Sequence, residues 1–190
     1  MERRFFSVTL DVYVKSRWYL DDPTDLQGAE VEDIWQFRRG RSLELQEKLR
    51  IPVSRPGRPL EMDFAGVGLT PVLGARAASV FRDLASEDVQ LFPVEVGDEV
   101  GPHYLLNVRT ERRCIDDAAC KSVQYFTEDD VMPEKAGQYR SVLGLRIDKS
   151  KVGVARAFRL WGYSIPIIVD EAIKDALESM GSLGVKFDEV

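Results

Sequence analysis

The stretch Arg112 to Phe126, RRCIDDAACKSVQYF, holds both cysteines of the chain around two aspartates, a combination that can ligate a metal or carry thiol chemistry. A closed zinc site takes four ligands, mostly Cys or His, and the chain offers only Cys114, Cys120 and His103, so a carboxylate would have to complete the set. The separation of six between the cysteines lacks the tight two-residue spacer of a zinc knuckle. On a helix, six steps of about 100° would point the sulfurs about 240° apart. The favoured reading is architectural: one buried strand cysteine and one surface or turn cysteine, with no metal and no cofactor. A hydrolytic triad would have to use His103, which follows Gly101 and Pro102 and reads as a strand-edge or loop histidine. There is no G-x-S-x-G, H-E-x-x-H or G-x-x-x-x-G-K motif, and AGVGLTP, with Gly66 and Gly68, reads as a turn.

Carboxylates are the remaining chemistry-bearing group. Asp116 and Asp117 are neighbours, and adjacent residues of a strand point to opposite faces, so they would not share one acid/base site there. Asp21, Asp22 and Asp25 stand beside Trp18 and Tyr19 in RWYLDDPTD, and Glu128, Asp129 and Asp130 follow QYFT. Each group reads either as a solvated turn, with Trp18 packed on the domain edge, or as an acidic patch facing a basic partner, with the aromatic residues as anchors. Arg38, Arg39 and Arg41 beside Trp35 and Phe37 could mimic a nucleic-acid patch. The chain has 32 acidic against 26 basic residues and a net charge of −6, which favours solvated arginines and no nucleic-acid partner.

The elements that must position these groups are mostly strands. Phe6, Val8, Leu10, Val12 and Val14 alternate with Ser7, Thr9, Asp11 and Tyr13, the period of a half-buried strand. Residues 16 to 33 lose the period and read as an acidic surface loop. IWQFRRGRSLEL, residues 34 to 45, reads as a hairpin, and Pro52, Pro56, Gly57 and Pro59 as a rigid connection. Helical spacing of Ala77, Val80, Phe81 and Leu84 predicts a first helix. VQLFPVEV, HYLLNVRT, SVQYF and SVLGLRI predict further strands. A last helix carries Ile173, Ala176, Leu177 and Met180 on one face, with Asp170 as N-cap and Gly181 at its end, before a short strand at Val185 to Phe187. Around the cysteines, Arg113 to Asp116 is expected to end a strand, Asp117 to Ala119 to turn, and Ser122 to Phe126 to return. The expectation is an α+β fold, mainly antiparallel sheet with two principal helices, in one domain over residues 1–190. Asp11 interrupts the first apolar stretch, so it reads as a strand and not a signal peptide. No apolar run reaches the roughly 20 residues of a membrane-spanning helix, and a cytoplasmic protein with reduced thiols and no membrane partner is expected.

The order of W-Q-F-x-x-G at 35, R-P-G-R-P-L at 55, D-V-Q-L-F-P-V at 88, R-C-I-D at 113, G-Q-Y-R at 137, G-L-R-I-D-x-S-K-V-G at 144 and A-L-E-S-M-G-S-L-G-V-K-F at 176 resembles the myxobacterial type of polymorphic-toxin immunity protein, over nearly the whole chain. The resemblance implies a cytoplasmic α+β protein that binds and neutralises a toxin encoded beside it, in some relatives a nuclease. It brings no catalytic residues. The expected partner is that toxin, with a basic surface turned to the acidic patches, and no oligomeric state is implied. Two alternatives stay open at this stage. A carboxylate-dependent hydrolase needs two acids brought together in a cleft, and a small-ligand-binding domain needs a concave apolar pocket.

Overall fold

The computed structural model describes residues 3–190; Met1 and Glu2, part of the 1–190 unit expected from the sequence, lie outside the described residues. Its strands and helices run β1 Phe5–Leu10, β2 Tyr19–Leu20, β3 Leu49–Ile51, β4 Val53–Arg55, β5 Met62–Ala65, β6 Thr70–Gly74, α1 Ala75–Leu84, β7 Val89–Val96 and β8 His103–Val108. They continue with β9 Glu111–Arg112, β10 Ser122–Tyr125, β11 Tyr139–Leu143, β12 Ala157–Leu160, β13 Tyr163–Asp170, α2 Glu171–Glu178 and β14 Val185–Glu189. One five-stranded sheet has the order β14-β1-β13-β12-β9, and the other β3-β7-β8-β6-β5. Pairing is antiparallel except for β12 with β9 and β3 with β7. The fold is α+β, as the strand and helix periods predict.

Strand alternation sorts the apolar side chains into three clusters. In β1, Phe6 and Val8 join Ile167 and Val169 of β13, Leu73 and Leu106 of the second sheet, and the inner faces of α1 and α2 in the main core. Phe5 of β1, Ile168 of β13 and Phe158 of β12 point to the other face of the first sheet, where Cys114 and Val152 cover it. The outer face of the second sheet is covered by Trp18, Leu20 and Phe37. Each helix has an identifiable start. Asp170 accepts the Ile173 N–H at 3.1 Å, an N-cap within α2, whereas α1 begins at Gly74 and borrows the Glu61 carboxylate of a neighbouring segment, which accepts the Ala77 N–H at 3.3 Å.

Four expectations fail for tertiary reasons. The first strand stops at Leu10 and not at Val14, because its last partner on β14 is Val185 and the Asp11 carboxylate then accepts the Tyr13 N–H, turning the chain out. Residues 34–45 form a 3-10 turn at Gln36–Arg38 and no hairpin. Their backbone finds side-chain partners instead: Asn107 donates to the Arg41 carbonyl at 2.8 Å, Gln90 donates to the Leu43 carbonyl at 3.0 Å, and the Leu43 N–H donates back to Gln90 at 2.8 Å. With both backbone groups satisfied by β7 and β8 side chains, no second strand is needed. SVLGLRI does not continue as a strand past Leu143, because Gly144 takes φ +58 and a Cβ there would lie 2.8 Å from the Lys121 Cβ. Arg113 to Asp116 leaves the sheet at Arg112, keeping only an isolated bridge between Ile115 and Ile147, and β10 pairs with β11 in its own two-stranded sheet.

Residues 16–33 are also more than a surface loop. Arg17 and Trp18 are buried, and β2 pairs with β4. Arg17 forms an ion pair with Asp63 of β5, and the Trp18 indole N–H donates to the same carboxylate at 2.9 Å. Burial pushes the Asp63 carboxyl above its ordinary range, and the Phe64 N–H, Arg17 and Trp18 oppose that rise. Gly57 lets the R-P-G-R-P-L connection lie against this segment, since a Cβ there would meet the Arg17 carbonyl oxygen at 2.3 Å.

Candidate functional site

The ten acidic and aromatic candidates separate into two places and several roles. In the first group Trp18 is 1% exposed and belongs to the core. Tyr19 is exposed, with the guanidinium groups of Arg17 and Arg55 at 5.7 and 5.4 Å from its ring. Asp22 is engaged in architecture: its two carboxylate oxygens accept the Val67 and Gly68 N–H groups at 3.0 and 2.8 Å, holding the turn between β5 and β6. Asp25 similarly accepts the Gln27 and Ala29 N–H groups at 2.8 Å. Asp21 is exposed.

The second group sits on and around the β10–β11 hairpin. Asp116 accepts the Ala119 N–H and shapes the turn before Cys120. Asp117 accepts hydrogen bonds from the hydroxyls of Tyr125 and Tyr139, whose ring centroids lie 4.9 Å apart at a 38° tilt. Burial and the adjacent Asp117 raise the Tyr139 phenol above its ordinary value. Asp130 accepts the Thr127 N–H at 2.7 Å and pairs with Arg140 at 3.0 Å, and the Thr127 bonds lower its pKa. Glu128 and Asp129 are exposed at the loop tip.

A concave surface between the Gly40 turn and the β10–β11 hairpin, however, is basic. Two adjoining depressions of about 460 and 540 Å³ share Arg38, Arg39, Lys135, Gln138 and Ser164 in their walls. The first adds Arg41, Tyr139 and Arg140, and among the described residues its single carboxylate is Glu111, whose pKa is raised by burial. That lining does not provide the two acids of a carboxylate hydrolase, nor the apolar pocket of a small-ligand domain.

Local structure explains how the arginines reach it. Gly40 takes φ +63 and packs so closely that a Cβ would lie 3.0 Å from the Glu111 Cβ and 3.3 Å from the Arg159 Cβ. The turn is thereby pressed onto the junction of β9 and β12, and its flanking arginines fan over the rim. Alternation in β12 puts Arg159 on the same face as Ala157, so it points into the interior. Arg159 is 0% exposed, and it donates to the carbonyls of Ser164 and Ile165 at 3.1 Å and of Phe37 at 3.2 Å. Its Nε has no hydrogen-bond partner, and burial, with Arg38 nearby, lowers its pKa to about 9.

The cysteines and the histidine lie elsewhere. Cys114 is fully buried and Cys120 is 9% exposed, so the second is a turn residue but not a surface one. The Cys120 sulfur accepts the Arg146 N–H at 3.3 Å. Burial pushes the Cys114 thiol up to about 11. His103 opens β8 with its ring 5.9 Å from Trp18. Among the described residues, no group of three or more His, Cys, Asp or Glu side chains is placed to hold a metal ion.

Sequence reasoning noticed Arg38, Arg39 and Arg41 but set them in a solvated hairpin, and it missed Lys135, Gln138, Tyr139, Arg140 and Arg159. The only signal for the second set was G-Q-Y-R beside a lysine two residues before, which is too short to place. Among the described residues no helix is long and apolar enough to cross a membrane. A comparison with curated proteins finds no match. A protein-family model described as "Immunity protein family (Imm11)" matches residues 7–190, which takes in both sheets, the β10–β11 hairpin and the whole groove. With that match spanning nearly the entire sequence, the chain belongs to the Imm11 immunity protein family.

Proposed function

We propose that this protein binds a toxin encoded beside it and neutralises it by forming a stoichiometric complex in the cytoplasm. The observation that carries the reading is the family match over residues 7–190, because an immunity protein acts by recognising one toxin. Two features of the surface support a recognition role. Exposed carboxylates at Asp21, Asp117, Glu128 and Asp129 offer acidic contacts, and the groove beside the hairpin offers basic ones. A surface bearing both signs can fix the orientation of a partner and reject a partner whose charges are arranged otherwise.

A toxin with a basic substrate cleft, such as a nuclease, is the partner the acidic positions suit. Those carboxylates speed its approach and sit against the cations that normally bind phosphate. The test is co-expression in a bacterial host of the toxic domain encoded by the neighbouring gene. Growth restored by this chain, and not restored by an unrelated family member, is the expected result. Growth arrest that persists at equal expression of both proteins contradicts the proposal.

A further inference from the structure

We infer that the basic groove between the Gly40 turn and the β10–β11 hairpin is the docking site for an acidic segment of the cognate toxin, whose carboxylates pair with Arg38, Arg41 and Lys135. The inference rests on the immunity reading and adds to it the surface and the chemistry of the contact.

Charge bookkeeping in the groove points to an anion. Among the described residues its walls carry five cationic side chains against the one carboxylate of Glu111. Arg39 is already paired with Asp33 at 2.6 Å, and Arg140 with Asp130 at 3.0 Å. Among the described residues Arg38, Arg41 and Lys135 make no ion pair. Behind them Arg159 is buried with carbonyl partners and no carboxylate, and its Nε is unpartnered. A buried guanidinium without a counterion is costly, and here it adds to the positive field of the groove in front of it. An anion seated among Arg38, Arg41 and Lys135 would offset that cost. The cluster is also concentrated within a chain whose net charge is −6, so it is not a consequence of general basicity.

The choice of a carboxylate-bearing segment over a nucleic acid follows from what surrounds the groove. Glu128, Asp129 and Asp130 lie in the same β10–β11 loop as Lys135, and Asp117, in the turn before β10, is held against this hairpin by the hydroxyls of Tyr125 and Tyr139. A polyphosphate backbone leaving the groove meets these acids and is repelled. A short acidic peptide flanked by neutral or basic residues fits the alternation of sign. Arginine forks match carboxylates with two parallel bonds, and Trp35, 45% exposed with Arg38 stacked at 5.1 Å, provides an aromatic surface at the rim.

The test compares the wild-type chain with R38E/R41E/K135E and with the milder R38Q/R41Q/K135Q, whose melting curves report folding. Association with the purified toxic domain is followed by stopped flow over a range of salt. Three competitors are used: a ten-residue glutamate-rich peptide, an oligothymidylate of equal charge and inorganic phosphate. The expected result is association slowed about tenfold or more by the glutamate variant at low salt, a smaller loss for the glutamine variant, and competition by the peptide alone. Wild-type binding with unchanged rates in both folded variants overturns the groove assignment and leaves the immunity reading standing. Oligothymidylate or phosphate competing as well as the peptide overturns the carboxylate occupant. Failure of the wild-type chain to bind the toxic domain removes the immunity reading and this inference with it.

Discussion

Replacing Asp63 by alanine is expected to cost about 3–5 kcal/mol of folding stability, because it leaves Arg17 charged, buried and without its counterion. Arg17 and Asp63 have side chains 5% and 1% exposed, so water cannot compensate. The Trp18 indole and the Phe64 N–H lose the same acceptor. Burial nonetheless raises the Asp63 carboxyl, which means the desolvation of the acid outweighs the help from Arg17 and Trp18. The pair should therefore be weak relative to an apolar replacement even though breaking it is costly. R17M/D63A is predicted to lose clearly less than the sum of R17M and D63A, because it leaves no unpaired buried charge, although the Trp18 indole and the Phe64 N–H still lack their acceptor. Urea denaturation followed by tryptophan fluorescence measures all four proteins, and for a chain of this size D63A should also lower Tm by about 6–20 °C. A D63A loss below about 1 kcal/mol, or a double variant as unstable as the sum, would refute the claim that this ion pair ties residues 16–25 into the core. If Trp18 were instead an exposed anchor for the partner, W18A would weaken toxin binding at unchanged stability.

Other positions give shorter tests. Gly40→Ala should lose about 1–3 kcal/mol, because φ +63 is strained for alanine and its Cβ meets the Glu111 Cβ at 3.0 Å; toxin association should slow as the arginines shift, read by melting and stopped flow together. Asp170→Ala removes the α2 cap and the 2.6 Å bond from Arg156, a loss of about 2–3 kcal/mol in urea titration. Cys114 should resist thiol reagents in the native state at neutral pH and react only on unfolding. Its thiol pKa is raised in the fold to about 11 from 9.0, so the folded chain keeps a proton that the unfolded chain releases. The contribution of Cys114 to stability is whole below pH 9 and is lost, by about 2–3 kcal/mol, as pH rises towards 11, so this part of the alkaline loss should be missing from C114A. Lysine at Asp21 and Asp129, exposed acids without the architectural bonds of Asp22, should slow association with a basic toxin and flatten its salt dependence; unchanged rates would place the acidic contact elsewhere.

Local pattern was informative wherever an element is stabilised by its own neighbours. β7, β8 and α2 lie where alternation or helical spacing puts them, and Asp170 caps α2 within three residues of itself. It misled wherever a distant side chain decides the backbone. The hairpin expected at 34–45 is replaced by bonds to Gln90 and Asn107, 47 and 66 positions away from their partners. Trp18 looked like a loop aromatic because the carboxylate that receives its N–H lies 45 positions on. The groove is the extreme case: its cations come from 38–41 and 135–140, and only the packing of Gly40 on β9 and β12 brings one wall into place. A run of arginines in an acidic chain was visible, but nothing local distinguishes a solvated turn from a groove wall.

The most direct test of the account is titration calorimetry of the purified chain with the purified toxic domain from the adjacent gene, at moderate salt. Saturable binding at a fixed stoichiometry of the two proteins is predicted, with loss of toxic activity reaching completion at the same ratio. No heat of binding, or full binding with the toxin still active at saturation, would contradict it.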